Sequence, residues 1–156
     1  MSQIEIDMSG LTAFSEELKA VNHDTMMREA ANTLAQVYLS EAKRNTPVAG
    51  NKSYTVDGKT FVSSSEHMRR SWGVGNVSNT GSTYEVEIYN SASYASYVND
   101  GHRQTPGRFV PILGKRLVKS FVLGLHMTDK AERLTEKTSD GVLNAVVSKY
   151  TKGLQE

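Results

Sequence analysis

The sequence predicts an α+β domain, with a long helix and a shorter one first, a small antiparallel sheet in the middle and helices at the end. Apolar residues recur at helical spacing in residues 27–42 and again near the C-terminus. Between them, Tyr84, Val86 and Ile88 alternate with Glu85, Glu87 and Tyr89, as in a strand with one buried face. The chain of 156 residues suits one domain with its own core, so we expect a single domain over residues 1–156.

The N-terminal part carries two helical patterns. A short helix is indicated by an apolar stripe at Leu11, Phe14, Leu18 and Val21. A longer helix is expected at about residues 24–44, with Asp24 as its N-cap. It should end before Pro47, because proline disfavours helical geometry in the residue that precedes it.

Residues 48–67 are polar and rich in Ser, Gly, Asn and Lys, and a loop of this length in a small domain is usually functional or disordered. Asp57-Gly58 lies between two β-prone triplets, which is typical of a tight hairpin turn. We therefore expect a protruding hairpin arm that is mobile in the free subunit and ordered against a partner, because an isolated hairpin is marginal in water. Its apolar contacts would come from Tyr54, Val56, Phe61 and Val62, and its charged contacts from Lys52 and Lys59.

Strands are expected to include Trp72, Val86 and Phe121. Further along, "RFVPI" and "LVKSFVLGLHM" predict two strands joined by a turn at Gly114-Lys115. The second is apolar on both faces, so it should lie centrally in the sheet. The side chains expected to be largely buried are Leu34, Val37, Tyr38, Trp72, Val86, Ile88, Tyr97 and Phe121.

The C-terminal region predicts a helix over about residues 142–153. Asp129 with Glu132 three residues on resembles a capping box, and Asp140-Gly141 is expected to break or kink the helix. The apolar stripe of this region is formed by Leu143, Val146, Val147, Tyr150 and Leu154.

The stretch "NSASYASYVNDGHR" raises the question of catalysis, since Asp100 and His102 are close in sequence. A catalytic triad is recognised by geometry, and no G-x-S-x-G motif accompanies this pair. A histidine just past a helix end is ordinary capping chemistry, and Gly101 is expected to end the helix with a positive φ. We interpret the stretch as architecture, in which Tyr94 and Tyr97 pack the helix onto the sheet or onto a neighbouring subunit; a hydrolase remains a weaker alternative.

Composition excludes several classes of site. The chain has no cysteine, which removes disulfides, iron–sulfur clusters and cysteine-bound zinc. Its four histidines form no i, i+4 pair, and no glycine-rich phosphate loop is present, so we expect no metal and no cofactor. The polar N-terminus is unlike a signal peptide, and no run approaches the roughly 18 apolar residues of a membrane helix, so a soluble intracellular protein is expected.

A nucleic-acid interface is harder to dismiss. Five basic residues and no acid lie in residues 101–120, namely Arg103, Arg108, Lys115, Arg116 and Lys119, and Arg69-Arg70 adds two charges. Such a patch could meet phosphate, although a solvated face or a contact with acidic neighbours explains it better in a chain that is neutral as a whole. The formal net charge of the chain is only +1, so a small nucleic-acid-binding module is the alternative function.

Three motifs in order resemble the neck or tail-completion family of tailed bacteriophages and prophage elements. They are "RNTPVAG" after a long helix, "MRRSW" opening a strand, and "NSASYASYVNDGHR" followed by "PGRFV". The matching positions are Thr46, Pro47, Val48, Gly50, Met68, Arg69, Ser71, Tyr94, Ala95, Tyr97, Val98, Gly101, His102 and Arg103. The resemblance runs from about residue 25 to the C-terminus. This sequence departs from the family's pattern where residues 51–67 split the first motif and where the acid before Gly-His is displaced to Asp100.

The resemblance implies a non-enzymatic ring subunit at the head–tail junction, assembled in the bacterial host cytoplasm and located in the virion. It would be a homo-oligomer, six-fold in the first instance and twelve-fold as the alternative. It would join the head connector to the tail tube and tail terminator, with non-specific contact to DNA in the channel and none to membrane. The expected interface residues are Tyr54, Val56, Phe61, Arg69, Arg70, Tyr94, His102, Arg103 and Arg108, and the expected DNA-facing residues are Lys115, Arg116 and Lys119.

Overall fold

The computed structural model describes residues 23–48, 52–56, 59–63, 66–81 and 83–152. Its helices are α1 (His23–Asn45), α2 (His67–Arg70), α3 (Ala95–Asp100) and α4 (Met127–Thr151). Its strands are β1 (Lys52–Val56), β2 (Lys59–Ser63), β3 (Trp72–Asn79), β4 (Tyr84–Asn90), β5 (Gly101–Arg103), β6 (Phe109–Val110), β7 (Lys115–Arg116) and β8 (Phe121–Leu123), with a 3-10 turn at Pro111–Leu113. The α+β class is therefore confirmed.

Two long helices and one strand pair form the body of the molecule. Helices α1 and α4 run antiparallel, because Glu29 near the start of α1 bonds Lys149 near the end of α4, while Ala42 and Ala131 share one core cluster. The pair β3–β4 packs on α1, with Trp72 and Ile88 joining the same cluster. Small residues at the helix contact allow the two backbones to approach closely.

Helix α1 confirms the predicted long helix within one residue at each end, and Pro47 follows its last turn. The N-cap prediction for Asp24 is wrong, because His23 is already helical. The Asp24 carboxylate instead accepts hydrogen bonds from Arg28, Asn79 and Tyr84, and so ties α1 to the β3–β4 turn. The predicted stripe on residues 11–21 lies outside the described residues.

Helix α4 is continuous over 25 residues, so the predicted break at Asp140-Gly141 is wrong. An interior glycine costs only about 1 kcal/mol relative to alanine. Packing outweighs that cost, since Ala131 on one side of Gly141 and Val146 on the other are both buried. The capping-box prediction is also wrong, because the N-cap is His126, with φ 50°, and Asp129 lies in the first turn.

The strands form four separate antiparallel pairs within the described residues. The pairs are β1–β2, β3–β4, β5–β8 and β6–β7, and a bulge between Val74 and Val77 interrupts β3–β4. Trp72, Val86 and Phe121 lie in strands as predicted. The central position predicted for the Phe121 strand is wrong, because β8 has three residues and pairs with β5 in a two-stranded sheet.

The core is small and rich in alanine. The buried apolar residues among those described are Ala30, Ala35, Ala42, Met68, Trp72, Ala92, Met127, Ala131 and Val146. Trp72 is buried as predicted, whereas Leu34, Val37, Tyr38, Val86 and Ile88 are half-buried. The prediction is wrong for Tyr97, which is 57% exposed, and for Phe121, which is 43% exposed. Phe121 lies in the two-stranded pair β5–β8, whereas Tyr97 lies on the outer side of α3, whose Ala95 and Val98 pack against the buried Met68, Ala92 and Met127.

Candidate interface surface

The first two sequence motifs meet in one buried hydrogen-bond network. Thr46 is 1% exposed, and its Oγ1 donates to the Ala42 carbonyl at 2.6 Å and accepts from Trp72 Nε1 at 2.7 Å. The Thr46 carbonyl accepts from Arg69 Nη2 at 2.9 Å. The network joins the end of α1 to the start of β3. Arg69, an expected interface residue, is therefore half-buried and bonded within its own subunit.

The third motif builds a junction between α3 and α4. Asn99 Oδ1 accepts from the Thr128 backbone N–H at 3.1 Å, and Asn99 Nδ2 donates to Thr128 Oγ1 at 2.9 Å. This satisfies an amide of the first turn of α4 that has no partner within the helix. Gly101 ends α3 with φ 83°, as predicted. Any Cβ there would collide with the Val122 carbonyl, and one at Gly124 would collide with the Asn99 carbonyl.

From this junction residues 101–125 run out and back as a second hairpin, which we call the basic arm. At its base Gly101 pairs with Leu123 and Arg103 with Phe121. The ladder continues through a Gln104 N–H bond to the Ser120 carbonyl and then through β6–β7. The tip closes at Gly114, which has a left-handed φ of 59°. The predicted turn at Gly114-Lys115 is thus confirmed.

The basic arm exposes apolar side chains along most of its length. Val118 is 86% exposed and Leu123 is 82% exposed. Phe109, Leu113, Phe121 and Leu125 are exposed as well. Contiguous exposed apolar groups on a folded chain mark sites of interaction with another molecule. The apolar composition of this segment had predicted the middle of a buried sheet, and the structure instead places these side chains on the surface.

The charge of the basic arm has one sign. It contains five basic residues and no acid. Arg103, Arg108, Lys115 and Lys119 are exposed. Arg116 is used internally, because its Nη1 donates to the Gly107 carbonyl at 2.7 Å and its guanidinium lies 5.9 Å from the centre of the Phe109 ring. Of the three residues expected to face DNA, Lys115 and Lys119 therefore remain available.

Asp100 and His102 have separate partners. Asp100 Oδ1 accepts from Asn99 Nδ2 at 2.6 Å. The His102 ring packs edge-on against Tyr97, with 5.7 Å between ring centres, and its Nδ1 lies 3.5 Å from the Tyr97 carbonyl. This arrangement gives the hydrolase alternative no geometric support.

Other residues expected at an interface lie in three places. The Tyr94 hydroxyl is 3.0 Å from His67 Nδ1. Tyr94 and Tyr97 are both exposed, so the interpretation that they pack α3 onto the sheet is wrong. Arg70 forms a surface ion pair with Glu66 at 2.7 Å.

The predicted hairpin is confirmed as two paired strands, in which Tyr54 of β1 lies opposite Phe61 of β2. Its turn residues 57–58 and the remaining loop residues lie outside the described part. Strand β1, which also carries Val56, approaches the 3-10 turn of the basic arm.

The outer face of β3–β4 is a second exposed surface, which we call the acidic face. Glu85, Glu87 and Tyr89 alternate outward along β4, while neither strand carries a basic residue. The Tyr89 ring lies over Gly73, where an added Cβ would stand 2.7 Å from it. The alternation in residues 84–89 was the sequence signal for this face, and only its apolar half was used for prediction.

Within the described residues, no helix is both long and apolar enough to cross a membrane. In the same part of the chain, no three His, Asp or Glu side chains are grouped as a metal ion would need.

Comparison with known proteins gives one family. A family model described as "Bacteriophage HK97-gp10, putative tail-component" matches residues 10–101. Neither the curated proteins nor the solved structures give a match. The matched range includes Thr46, Arg69 and Trp72 and ends at Gly101, where the basic arm begins. Because it covers more than half of the chain, the chain belongs to the HK97-gp10-like family of bacteriophage tail components and has a structural role in the phage tail.

Proposed function

We propose that this chain is a ring-forming subunit of the phage neck, joining the head connector to the tail tube and tail terminator. The ring is a homo-oligomer, for which six-fold symmetry is the first expectation and twelve-fold the alternative. The observation that carries the proposal is the basic arm, a two-stranded ladder whose largest side chains are exposed. Membership of a tail-component family supports a place in the virion.

The energetics of the basic arm favour an assembled state. A two-stranded hairpin is marginal on its own in water. Covering a side chain such as Leu123 or Val118 contributes about 1.5–3 kcal/mol when burial is complete. A neighbouring subunit would supply that cover, and repeated head-to-tail contacts close into rings when the rotation per subunit allows it.

Native mass measurement of the purified chain, alone and mixed with its connector and tail-tube proteins, tests the proposal. We expect a ring of defined stoichiometry in at least one mixture. Leu123→Asp should abolish the ring, because it places a carboxylate in the covered part of the arm. Leu143→Asp is the matched control, since Leu143 is an exposed leucine on α4. A chain that stays monomeric in every mixture would contradict the proposal.

Binding of DNA is a second candidate, favoured by the exposed cations Arg108, Lys115 and Lys119 on an arm without acids. In a neck ring the same arm could face DNA in the channel. Binding to duplex DNA should then weaken with salt, with a log–log slope of about −0.9 for each phosphate contacted. Lys115→Gln with Lys119→Gln should reduce the slope, whereas Lys130→Gln on α4 should leave it unchanged. A slope near zero in the wild type would exclude this role.

A further inference from the structure

We infer that the basic arm of one subunit lies across the acidic face of the next subunit. The inference rests on the proposed ring and names the two surfaces that would form its repeating contact. The arm contributes Arg103, Phe121 and Leu123, and the face contributes Glu87 and Tyr89.

The base of the basic arm presents charge and apolar surface together. Arg103 and Phe121 are directly paired across the two strands, as are Gly101 and Leu123. These two pairs lie two residues apart along the strands, so their side chains point to the same side of the ladder. Arg103, Phe121 and Leu123 are all exposed. A partner for this side must therefore offer an apolar platform next to carboxylates.

The acidic face offers that combination. The Tyr89 ring, half exposed, lies over Gly73 and makes an aromatic platform without a projecting neighbour on β3. Gly75 lies opposite Glu87, and a Cβ added to this glycine would lie 3.5 Å from the Glu87 Cβ. No side chain therefore projects from β3 at this position either. The Tyr89 ring fills the space over Gly73, Gly75 adds no side chain beside Glu87, and the two exposed glutamates of β4 supply the opposite charge.

Charge and exposure decide between the alternative occupants. An arm packed against a second arm would bring cations against cations, which is unfavourable across an interface. The arm of the same subunit does not cover the face, since Leu123, Glu85 and Glu87 all remain exposed in the single chain. Because arm and face are different surfaces, the contact can repeat head-to-tail from one subunit to the next, and such contacts close into a ring when the rotation per subunit allows it.

Charge reversal with rescue tests the pairing. Arg103→Glu and Glu87→Lys should each raise the protein concentration needed for half-assembly by at least about tenfold, because each places like charges together. The double variant should return to within about threefold of the wild type, because it restores an opposite pair. Glu136→Lys is the matched control on the exposed side of α4 and should leave assembly unchanged. Additive defects in the double variant would overturn the pairing.

Cross-linking tests the geometry directly, since the chain has no natural cysteine. Leu123→Cys and Glu87→Cys proteins, carrying tags of different mass, are mixed and oxidised under conditions in which the wild type assembles with its tail components. We expect a disulfide between the two tagged chains and little product from either variant alone. Products from Leu123→Cys alone would show an arm-to-arm contact and overturn the inference.

The outcomes separate the inference from the proposed function. A wild type that assembles, together with variants that show neither the charge effect nor the mixed disulfide, overturns the pairing and leaves the ring intact. A wild type that enters no assembly overturns the ring and the pairing with it. Rescue by the double variant and the mixed disulfide together would support both.

Discussion

At the scale of single residues, Thr46 connects two separate sequence motifs through two hydrogen bonds, from Trp72 and from Arg69. Its hydroxyl is both donor and acceptor, and its carbonyl receives Arg69. Since the hydroxyl is fully buried, Trp72 Nε1 has no water to replace it as a partner. A buried donor that loses its partner costs more than the bond itself contributes.

Thr46→Val should therefore lower the free energy of unfolding by about 1–3 kcal/mol, measured by urea denaturation. Valine has nearly the same shape, so the loss reports the hydroxyl rather than packing. Thr33→Val is the matched control. Thr33 is a half-buried threonine of α1, and its hydroxyl makes only a local hydrogen bond to the Glu29 carbonyl one turn earlier. An equal decrease in the free energy of unfolding for Thr46→Val and Thr33→Val would show that the buried network stabilises the fold no more than a local hydrogen bond does.

Glu29 gives the molecule a pH-dependent link between α1 and α4. Hydrogen bonds from Lys149 and then from Tyr150 hold the pKa of Glu29 below its usual value. A carboxylate with a lowered folded-state pKa stabilises the fold above its unfolded pKa, and this stability is lost as pH falls through the folded pKa. Glu29→Gln should lower the free energy of unfolding at neutral pH and reduce the further decrease that follows as the pH falls, whereas the control Glu136→Gln should change neither. If Glu29→Gln loses stability in acid as steeply as the wild type, Glu29 is not the source of this pH dependence.

At the scale of elements, α4 contains a residue that the helix does not need. Gly141 lies in the helix interior, and a Cβ there would meet no atom within 4 Å. Gly141→Ala should therefore raise the free energy of unfolding by about 1 kcal/mol. Gly101→Ala is the contrasting variant and should be strongly destabilising, because Gly101 has φ 83° and lies against the Val122 carbonyl. Thermal unfolding of both would measure this, and a loss of stability in Gly141→Ala would show that α4 bends there.

The elements also show what a sequence pattern can and cannot predict. Helix α1 and the pair β3–β4 were predictable, because each has one buried face and a regular period. The continuity of α4 was not, because the glycine signal at Gly141 is local and the packing of Ala131 and Val146 on α1 is not visible in sequence. Strand β8 was misplaced for a different reason. The exposed apolar side chains of this strand have the same composition as core side chains, so the sequence around Phe121 and Leu123 predicts an interior position.

At the scale of the whole molecule, the small alanine-rich core contrasts with the apolar surface of the basic arm. The Thr46 network, the Asn99 junction and two buried clusters hold the body together without the arm. One cluster is Ala42, Trp72 and Ala131, and the other is Met68, Ala92 and Met127. The candidate site could be predicted in part. Arg103 and Arg108 were expected at an interface and are exposed, while the acidic face was missed because exposed glutamates on a strand are unremarkable in sequence.

The hairpin β1–β2 should behave as a second assembly element. Its strands pair in full register from Lys52↔Ser63 to Val56↔Lys59, yet a two-stranded ladder needs a partner surface to persist in water. Replacing residues 52–65 with a short Gly-Ser linker should leave the domain folded, because the buried residues Trp72, Met127 and Ala131 lie elsewhere in the chain. The same replacement should impair assembly with the tail components.

Hydrogen exchange in the free and assembled protein measures the effect on the intact hairpin. The amides of β1 and β2 should exchange fast in the free subunit and slowly in the assembly, whereas those of α1 and α4 should be slow in both and serve as the internal control. Protection confined to the assembly follows if a neighbouring subunit or the next ring supplies the missing surface, because strand hydrogen bonds then open only when that contact opens. Equally fast exchange of these amides in both states, or normal assembly of the linker variant, would rule out this role for the hairpin.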